Sequence, residues 1–311
     1  MSGIVVLEDV IVPECVLSAG ASGKQTRKND RTANQGGYAT VNVVNDRTLR
    51  EYLLGVVPME LELWAEIEGL YEVTDAGAYG MLLKDPKDSS VTVVNGALQG
   101  YMAGVEFGTP GFGNGTPLYG LRQLKKAASS TRTKSVVRTR PNGTPSLFRG
   151  GSPVTIGVAG GNAALSAAPV YVTFVADASQ NVTAVTVGAT TQVTLAAPLA
   201  GLVVGGRLWL QDLTGADAGL LNSLSHEITA ITGGSLNVYT LATNTAGKTI
   251  TVAGTGKKYP QPDEALTWSG SFYVPVQFAE DDMEWDLVKP GDDEDRLVAG
   301  PSIRLIEIRE A

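Results

Sequence analysis

The stretch "VTAVTVGATTQVTLA", residues 182–196, decides the fold class of this chain. Its apolar residues alternate with threonines and other small polar residues at a period close to two. Such alternation is typical of a β-strand that buries one face and exposes the other. The 37 glycines of the chain, together with its many valines and threonines, favour the same strand-and-turn architecture.

Short strands continue on the C-terminal side of this stretch. Turn signals recur about every 8–12 residues, which is typical of a small β-barrel or sandwich. Ala, Val, Thr and Gly dominate from about residue 150 to 258, and Pro260 and Pro262 mark the end of that composition. The sequence thus predicts an inserted all-β domain at 177–258 within a β-rich body formed by residues 1–176 and 259–311. The strands predicted after the opening stretch are 202–215, 226–234, 236–243 and 248–254.

The body is predicted to be a β-sandwich or barrel with one helix. Met59, Leu63, Ile67 and Leu70 recur at helical spacing, with Pro58 as the first helical residue. The remaining expectations for the body are, in chain order, a strand or arm at 1–17, a mobile loop at 18–37, two strands in 38–57 around a turn at Asn45-Asp46, a strand at 79–88, strands in 91–107 broken by Gly96 and Gly100, a glycine-rich loop at 108–120, and long strands in 118–148 joined by a turn near Ser129 and ending in a turn at Pro141–Gly143.

Composition excludes several classes of function. The formal net charge is −8 and no long basic block occurs, which disfavours a general nucleic-acid binder. Cys15 is the single cysteine, so no intrachain disulfide can form and nothing indicates an oxidising compartment. The N-terminus carries Glu8 and Asp9 and no basic region, unlike a signal peptide, and no apolar run is long enough for a membrane span. We therefore expect a soluble protein folded in a cytoplasm.

Few residues have the chemistry of a catalytic or metal site. His226 is the only histidine, at the start of a predicted strand, and packing is a simpler role for it than a catalytic triad. Cys15 lies in an apolar segment, which favours a buried thiol over a nucleophile. One cysteine and one histidine do not make a zinc site of a familiar kind.

Two glycine-containing segments resemble phosphate-binding loops only in part. Residues 246–251, "AGKTIT", contain a Gly-Lys pair, but a phosphate-binding loop also needs a glycine five residues before that pair, and Ala242 occupies this position. Predicted strands flank the segment. Residues 108–115, "GTPGFGNG", lack the strand-then-helix frame, so a flexible loop is the simpler interpretation.

A basic stretch spans residues 122–140 and has no interleaved aromatic residues. It predicts a solvated or subunit-facing edge, with contact to DNA or to an acidic partner as the alternative. Its cations are Arg122, Lys125, Lys126, Arg132, Lys134, Arg138 and Arg140.

The segment "SFYVPVQFAEDDMEWDLVKPGDDEDRL", residues 271–297, is dense in carboxylates. Its apolar residues are even-numbered up to Phe278 and odd-numbered from Met283 to Leu287. A strand cannot change faces without an extra residue, so the pattern predicts a bulge or turn near 279–282 and a solvent-facing row of carboxylates at Asp282, Glu284 and Asp286. Alternate residues of a strand stand about 7 Å apart, too far to share one small cation unaided, and a cation site remains the alternative.

Several segments, in order, resemble the distal tail proteins of tailed phages and gene transfer agents. The resemblance covers most of the first 155 residues and the last 45, but Gln277 stands where the family has arginine, and Ala279-Glu280-Asp281 stands for its Asp-Thr-Asp. Residues 177–258 resemble the small β-barrel modules common in phage tail proteins. The matching stretches are "GLYEVTDAGAYGMLLKDPKD" (69–88), "LQG" (98–100), "LYGLRQLKKAASSTRTKSVVRTRPNGT" (118–144), "GSFYVPVQFAEDDMEWDL" (270–287) and "IRLIEIRE" (303–310).

The resemblance implies a structural protein of the virion tail tip, present in the host cytoplasm during assembly. It implies a homo-oligomeric, usually hexameric ring between the tail tube protein and the baseplate hub or fibre proteins, with DNA passing the lumen without specific binding. It implies no enzyme, no cofactor, no membrane partner and no catalytic, cofactor-binding or metal residues. The alternatives are a receptor- or carbohydrate-binding tail module and a tail-associated hydrolase that uses the C-terminal carboxylates.

Overall fold

The protein is mainly β, as predicted, with 49% of its residues in strands and 7% in helices. The structure is a computed structural model that describes residues 3–33, 36–44, 47–289, 296–300 and 303–310. It contains two compact units, one from Met1–Ser89 and Phe272–Ala311 and the other from Ser90–Ser271. These limits differ from those of the predicted body and insert, and that division stays a prediction.

The first unit contains two helices and eleven strands within its described residues. In chain order they are β1 (Val6–Ile11), α1 (Glu14–Ser18), β2 (Ser22–Thr26), β3 (Asn29–Ala33), β4 (Ala39–Val43), β5 (Leu49–Leu54), β6 (Met59–Glu60), α2 (Leu61–Val73), β7 (Gly80–Leu83), β24 (Val274–Phe278), β25 (Asp286–Lys289), β26 (Leu297–Ala299) and β27 (Ile303–Glu307).

A six-stranded sheet organises the first unit, in the order β1-β7-β24-β27-β5-β2. The β1–β7 pair is parallel and the other pairs are antiparallel. Val274, Val276 and Phe278 are buried, as their even-numbered spacing predicted. Two smaller sheets accompany it, the three-stranded β25-β26-β6 and the two-stranded β3-β4.

The helices differ from the prediction in two respects. Helix α2 begins at Leu61, not at Pro58, because Met59 and Glu60 form β6 and pair with β26. The segment predicted as a strand or arm at 1–17 contains β1 and then a second helix, α1.

The prediction of a mobile loop at 18–37 is also wrong. Strands β2 and β3 occupy much of it, and β2 pairs with β5 over its full length. The strands expected in 38–57 exist as β4 and β5, but each pairs with another strand. The turn predicted between them at 45–46 lies outside the described residues.

The second unit begins and ends with strands that do not belong to its barrel. They are β8 (Ser90–Val91), β9 (Gly96–Met102), β10 (Val105–Phe107), β11 (Leu118–Lys126), β12 (Thr133–Val137), β13 (Pro141–Arg149), β14 (Ser152–Val154), β15 (Ala163–Leu165), β16 (Tyr171–Phe174) and β23 (Leu266–Phe272).

These strands form two sheets, with the orders β10-β9-β11-β16-β15 and β14-β13-β23-β8. Strand β12 pairs with β11, which agrees with the predicted turn near Ser129. Gly96 and Gly100 do not break a strand but lie within β9. A Cβ on Gly96 would stand 1.9 Å from the Trp268 carbonyl oxygen, so this close approach requires glycine. The turn predicted at Pro141–Gly143 is wrong, because those residues begin β13.

The remaining strands of the second unit close into a six-stranded barrel, in the order β17-β18-β21-β20-β19-β22. Residues 182–196 supply β18 and most of β17. A short 3-10 helix at Ala218–Leu220 lies within the barrel sequence. The barrel strands are β17 (Ala178–Thr186), β18 (Thr191–Leu195), β19 (Arg207–Gln211), β20 (Leu224–Thr232), β21 (Val238–Leu241) and β22 (Thr255–Lys258).

The barrel core consists of the inward side chains of these strands. Val193, Leu208, Ile228 and Leu241 are fully buried, which reflects the alternation seen in the sequence. The strand predicted at 248–254 is absent, since that segment contributes only an isolated bridge at Thr251, and the closing strand is β22.

Candidate functional site

The carboxylate-rich segment does not form one bulged strand. Strand β24 ends at Phe278, residues 279–285 have no strand structure, and β25 starts at Asp286. Of the apolar set expected on the inner face, Met283 is half-buried, whereas 58% of Trp285 and 46% of Leu287 are accessible to solvent. The carboxylates are solvent-facing as predicted, but Trp285 and Leu287 are solvent-facing too.

A cleft of about 330 Å³ opens beside this segment. Arg304 pairs with Glu280 at 3.2 Å, whereas Asp282 and Glu284 form no ion pair with any described residue. Partial burial and the carboxylates of Asp282 and Asp281 raise the pKa of the Tyr71 hydroxyl. Three carboxylates and one guanidinium line the cleft, so its lining has a net negative charge. It is lined by Tyr71, Phe278, Glu280, Asp282, Met283, Glu284, Ile303 and Arg304.

Strands β3 and β4 form a hairpin that pairs with no other described strand. Nine of its ten strand residues are exposed, and Asn29 is half-buried. Val41 and Val43 are 48% and 59% exposed, although valine favours burial. A two-stranded sheet of this kind is marginally stable on its own in water.

Residue pairing divides the hairpin into two unlike faces. Arg31 is opposite Val41, and Asn29 is opposite Val43. Directly paired residues of an antiparallel sheet share a face, so one face combines a cation with two valines. The other face carries Asp30, Thr32, Thr40 and Asn42 and is polar throughout.

The basic stretch at 122–140 is split between interior and surface. Arg122, Arg138 and Arg140 are buried, and both Arg138 Nε and Nη2 donate to Gln123 Oε1 at 3.0 and 2.7 Å. The cations near the tip of the β11–β12 pair are exposed, namely Lys125, Lys126, Arg132 and Lys134. The exposure of this tip agrees with the predicted solvated edge, the three buried arginines do not, and a subunit-facing role stays a prediction.

His226 lies on β20 with both ring nitrogens engaged. Nδ1 is 2.6 Å from the Thr243 hydroxyl, and Nε2 is 2.9 Å from the Leu221 carbonyl oxygen. Burial lowers the pKa of His226 below its ordinary value. These contacts favour the packing interpretation over a triad, in which a carboxylate would orient the ring.

Cys15 was predicted to be buried in a strand, and this is wrong. It lies on α1 and is exposed, because Val16 and Leu17 occupy the inward positions of that short helix. Across the described residues, no three His, Cys, Asp or Glu side chains lie close enough together to hold a metal ion.

The glycine-rich loop at 108–115 is packed rather than flexible. Within the second unit, Gly115 N donates to the Pro260 carbonyl at 2.9 Å, and the Asn114 carbonyl accepts a hydrogen bond from Ser225 Oγ at 2.7 Å. Gly115 has φ +65°, and a Cβ there would stand 2.5 Å from that of Arg207. The loop thus seats the barrel against the neighbouring strands and has no phosphate-binding frame. Residues 246–251 likewise precede a strand and not a helix.

Arg149 holds the entry and the exit of the barrel together. Its Nη1 and Nη2 donate to the two Asp177 carboxylate oxygens at 2.7 and 2.6 Å. Nη2 also donates to Glu264 Oε1 at 2.9 Å, and Nε donates to Oε2. Sequence reasoning missed this clamp because its members are far apart in the chain.

The structure brings together no acid, base and nucleophile from the residues that the sequence singled out. What it exposes instead is the valine face of the hairpin, which carries Arg31, and the carboxylate-rich surface around Trp285 and Leu287. The signal for the hairpin was present as the alternation of Val41 and Val43, next to a polar segment that was interpreted as a loop.

Among the described residues, no helix is both long enough and apolar enough to span a membrane. Comparison with protein-family models and with curated proteins finds no match to the chain.

Proposed function

We propose that this chain is a structural protein of a phage-like tail tip. Its copies form a ring, usually hexameric in the family that it resembles, between the tail tube and the baseplate hub or fibre. The lumen of the ring passes DNA, and the excess of 32 acidic over 24 basic residues keeps the phosphate backbone from adhering.

The exposed β3–β4 hairpin is the observation that carries this proposal. It presents valines to solvent and has two open edges, and the six-stranded sheet ends in the edge strands β1 and β2. Exposed edges are a liability that soluble proteins manage, and pairing with neighbouring subunits is one way to manage them. The in-order resemblance to distal tail proteins supports the same assignment.

Light scattering coupled to size-exclusion chromatography tests the proposal, with negative-stain electron microscopy of the same fractions. We expect a discrete species of about six times the chain mass of 32.5 kDa, with a ring-shaped outline and a central hole. A monomer that binds glycans would favour the receptor-binding alternative instead. A monomer that hydrolyses cell-wall or capsule polymers would favour the hydrolase.

A further inference from the structure

Positive charge is concentrated in the segment that leads from β2 into the hairpin, whose own strands carry Arg31 and Asp30 as their charged residues. Lys24, Arg27, Lys28 and Arg31 oppose a single carboxylate, Asp30, over residues 24–33. Lys28 and Arg31 are exposed and form no ion pair with any described residue. The face of the hairpin that carries Arg31 is the one that exposes Val41 and Val43.

The acidic segment is its complement. Residues 280–286 contain five carboxylates and no cation, and they include the exposed Trp285. Leu287 and Val288 of β25 are also exposed, at 46% and 53%, on opposite faces of the strand. Strand β25 is an edge strand, since its sheet has the order β25-β26-β6. This surface therefore combines negative charge, apolar side chains and an open edge.

Each surface supplies what the other lacks. Opposite charges on facing surfaces guide association and fix its register, and two open edges can extend one sheet by strand addition. In addition, the cleft beside Tyr71, with Asp282 and Glu284 on its wall, has the charge and the volume to receive an arginine side chain.

The two surfaces belong to different elements of the same unit. In the six-stranded sheet, β5 and β27 separate β2, which leads into the hairpin, from β24, which leads into the acidic segment. Three strand spacings, about 14 Å, thus separate the two strands from which the surfaces emerge. A contact that joins unlike surfaces of two copies is head-to-tail, and it gives a ring when the rotation closes.

We infer that the β3–β4 hairpin of one copy binds the 280–288 segment of a second copy, with Arg31 against the Asp282–Glu284 cleft and the valine face against Trp285 and Leu287. This inference rests on the proposed function and names the contact that builds the ring. A nucleic-acid partner for the hairpin would leave the acidic segment and its tryptophan unexplained.

Complementary charge reversal tests the pairing. The first variant carries Lys28→Glu and Arg31→Glu, and the second carries Glu284→Lys and Asp286→Lys. Each alone is expected to raise the concentration at which the assembly dissociates by about tenfold or more, as loss of close interfacial charge pairs does. A matched control, Lys126→Glu, reverses an exposed charge on the second unit and should leave assembly unchanged.

Combining the two variants in one chain restores opposite charges across every contact. We expect this four-residue variant to assemble within about threefold of the wild-type concentration. Such rescue also shows that the variants fold, since an unfolded chain would not be rescued.

Failure of this inference is distinguishable from failure of the proposed function. If the wild type assembles and neither variant weakens assembly, the inferred hairpin contact is wrong, but the proposed ring is not contradicted. The same holds if the combined variant does not recover assembly. If the wild type is monomeric under all conditions, both proposals are wrong.

Discussion

Replacement of Arg149 should detach the ends of the barrel from the strands that hold them. Arg149→Met removes four hydrogen bonds to Asp177 and Glu264, both of which stay largely buried at 20% and 25% side-chain exposure. Loss of one partner from a buried ion pair costs roughly 3–5 kcal/mol. Because about a fifth of each side chain remains in contact with water, we expect a loss near the low end, about 3 kcal/mol.

Urea unfolding of the full chain, followed by tryptophan fluorescence at one fixed protein concentration, measures this loss. Arg149→Lys keeps the charge without the planar fork and should lose about half as much. The matched control Arg132→Met removes an exposed arginine from the same unit and should stay within about 0.5 kcal/mol of the wild type. A loss below about 1 kcal/mol for Arg149→Met, or one equal to that of the control, would refute the clamp.

Three further outcomes follow from single side chains. Gly69 occupies an exposed helical position with open space, so Gly69→Ala should raise the free energy of unfolding by about 0.5–1 kcal/mol. Gly96→Ala should lower it, because the added methyl group meets the Trp268 carbonyl. Urea titration measures both variants, and equal effects would contradict the packing at Gly96. Burial lowers the pKa of His226 below its ordinary 6.5, so the unfolded chain binds the proton more readily than the folded chain. The free energy of unfolding should therefore fall as the pH decreases through 6.5. His226→Gln should flatten this part of the pH dependence, and an unchanged slope would contradict the role of His226. Cys15 should react with a thiol reagent at the rate of an exposed thiol in the folded protein, and protection until denaturation would restore the buried-strand prediction.

Periodic patterns predicted the elements whose side chains have one clear inside. The alternation in 182–196 yields β17 and β18 of the barrel, and the even-numbered residues up to Phe278 are buried in β24. Helix α2 was predicted from its spacing, with an error of three residues at its start. In each case the period of the apolar residues matches the geometry of one element, and tertiary packing agrees with it.

Elements formed by long-range pairing could not be predicted in the same way. Strands β2 and β3 have no inward face, so nothing in their composition separates them from a polar loop. The apolar residues at 283–287 follow the pattern of a buried strand face but are mostly exposed, because local alternation does not reveal whether another surface covers it. The failures at β3 and at 283–287 fall on the two surfaces that we infer to meet between copies.

The location of the protein in a particle distinguishes a tail-tip ring from every other placement. A small epitope inserted after Gly234, an exposed turn between β20 and β21 with open space around it, leaves both inferred contact surfaces intact. Antibody-labelled particles imaged by electron microscopy should carry the label in a collar at the end of the tail. Label on the capsid or along the tail tube, or intact particles that lack the protein, would contradict a tail-tip ring.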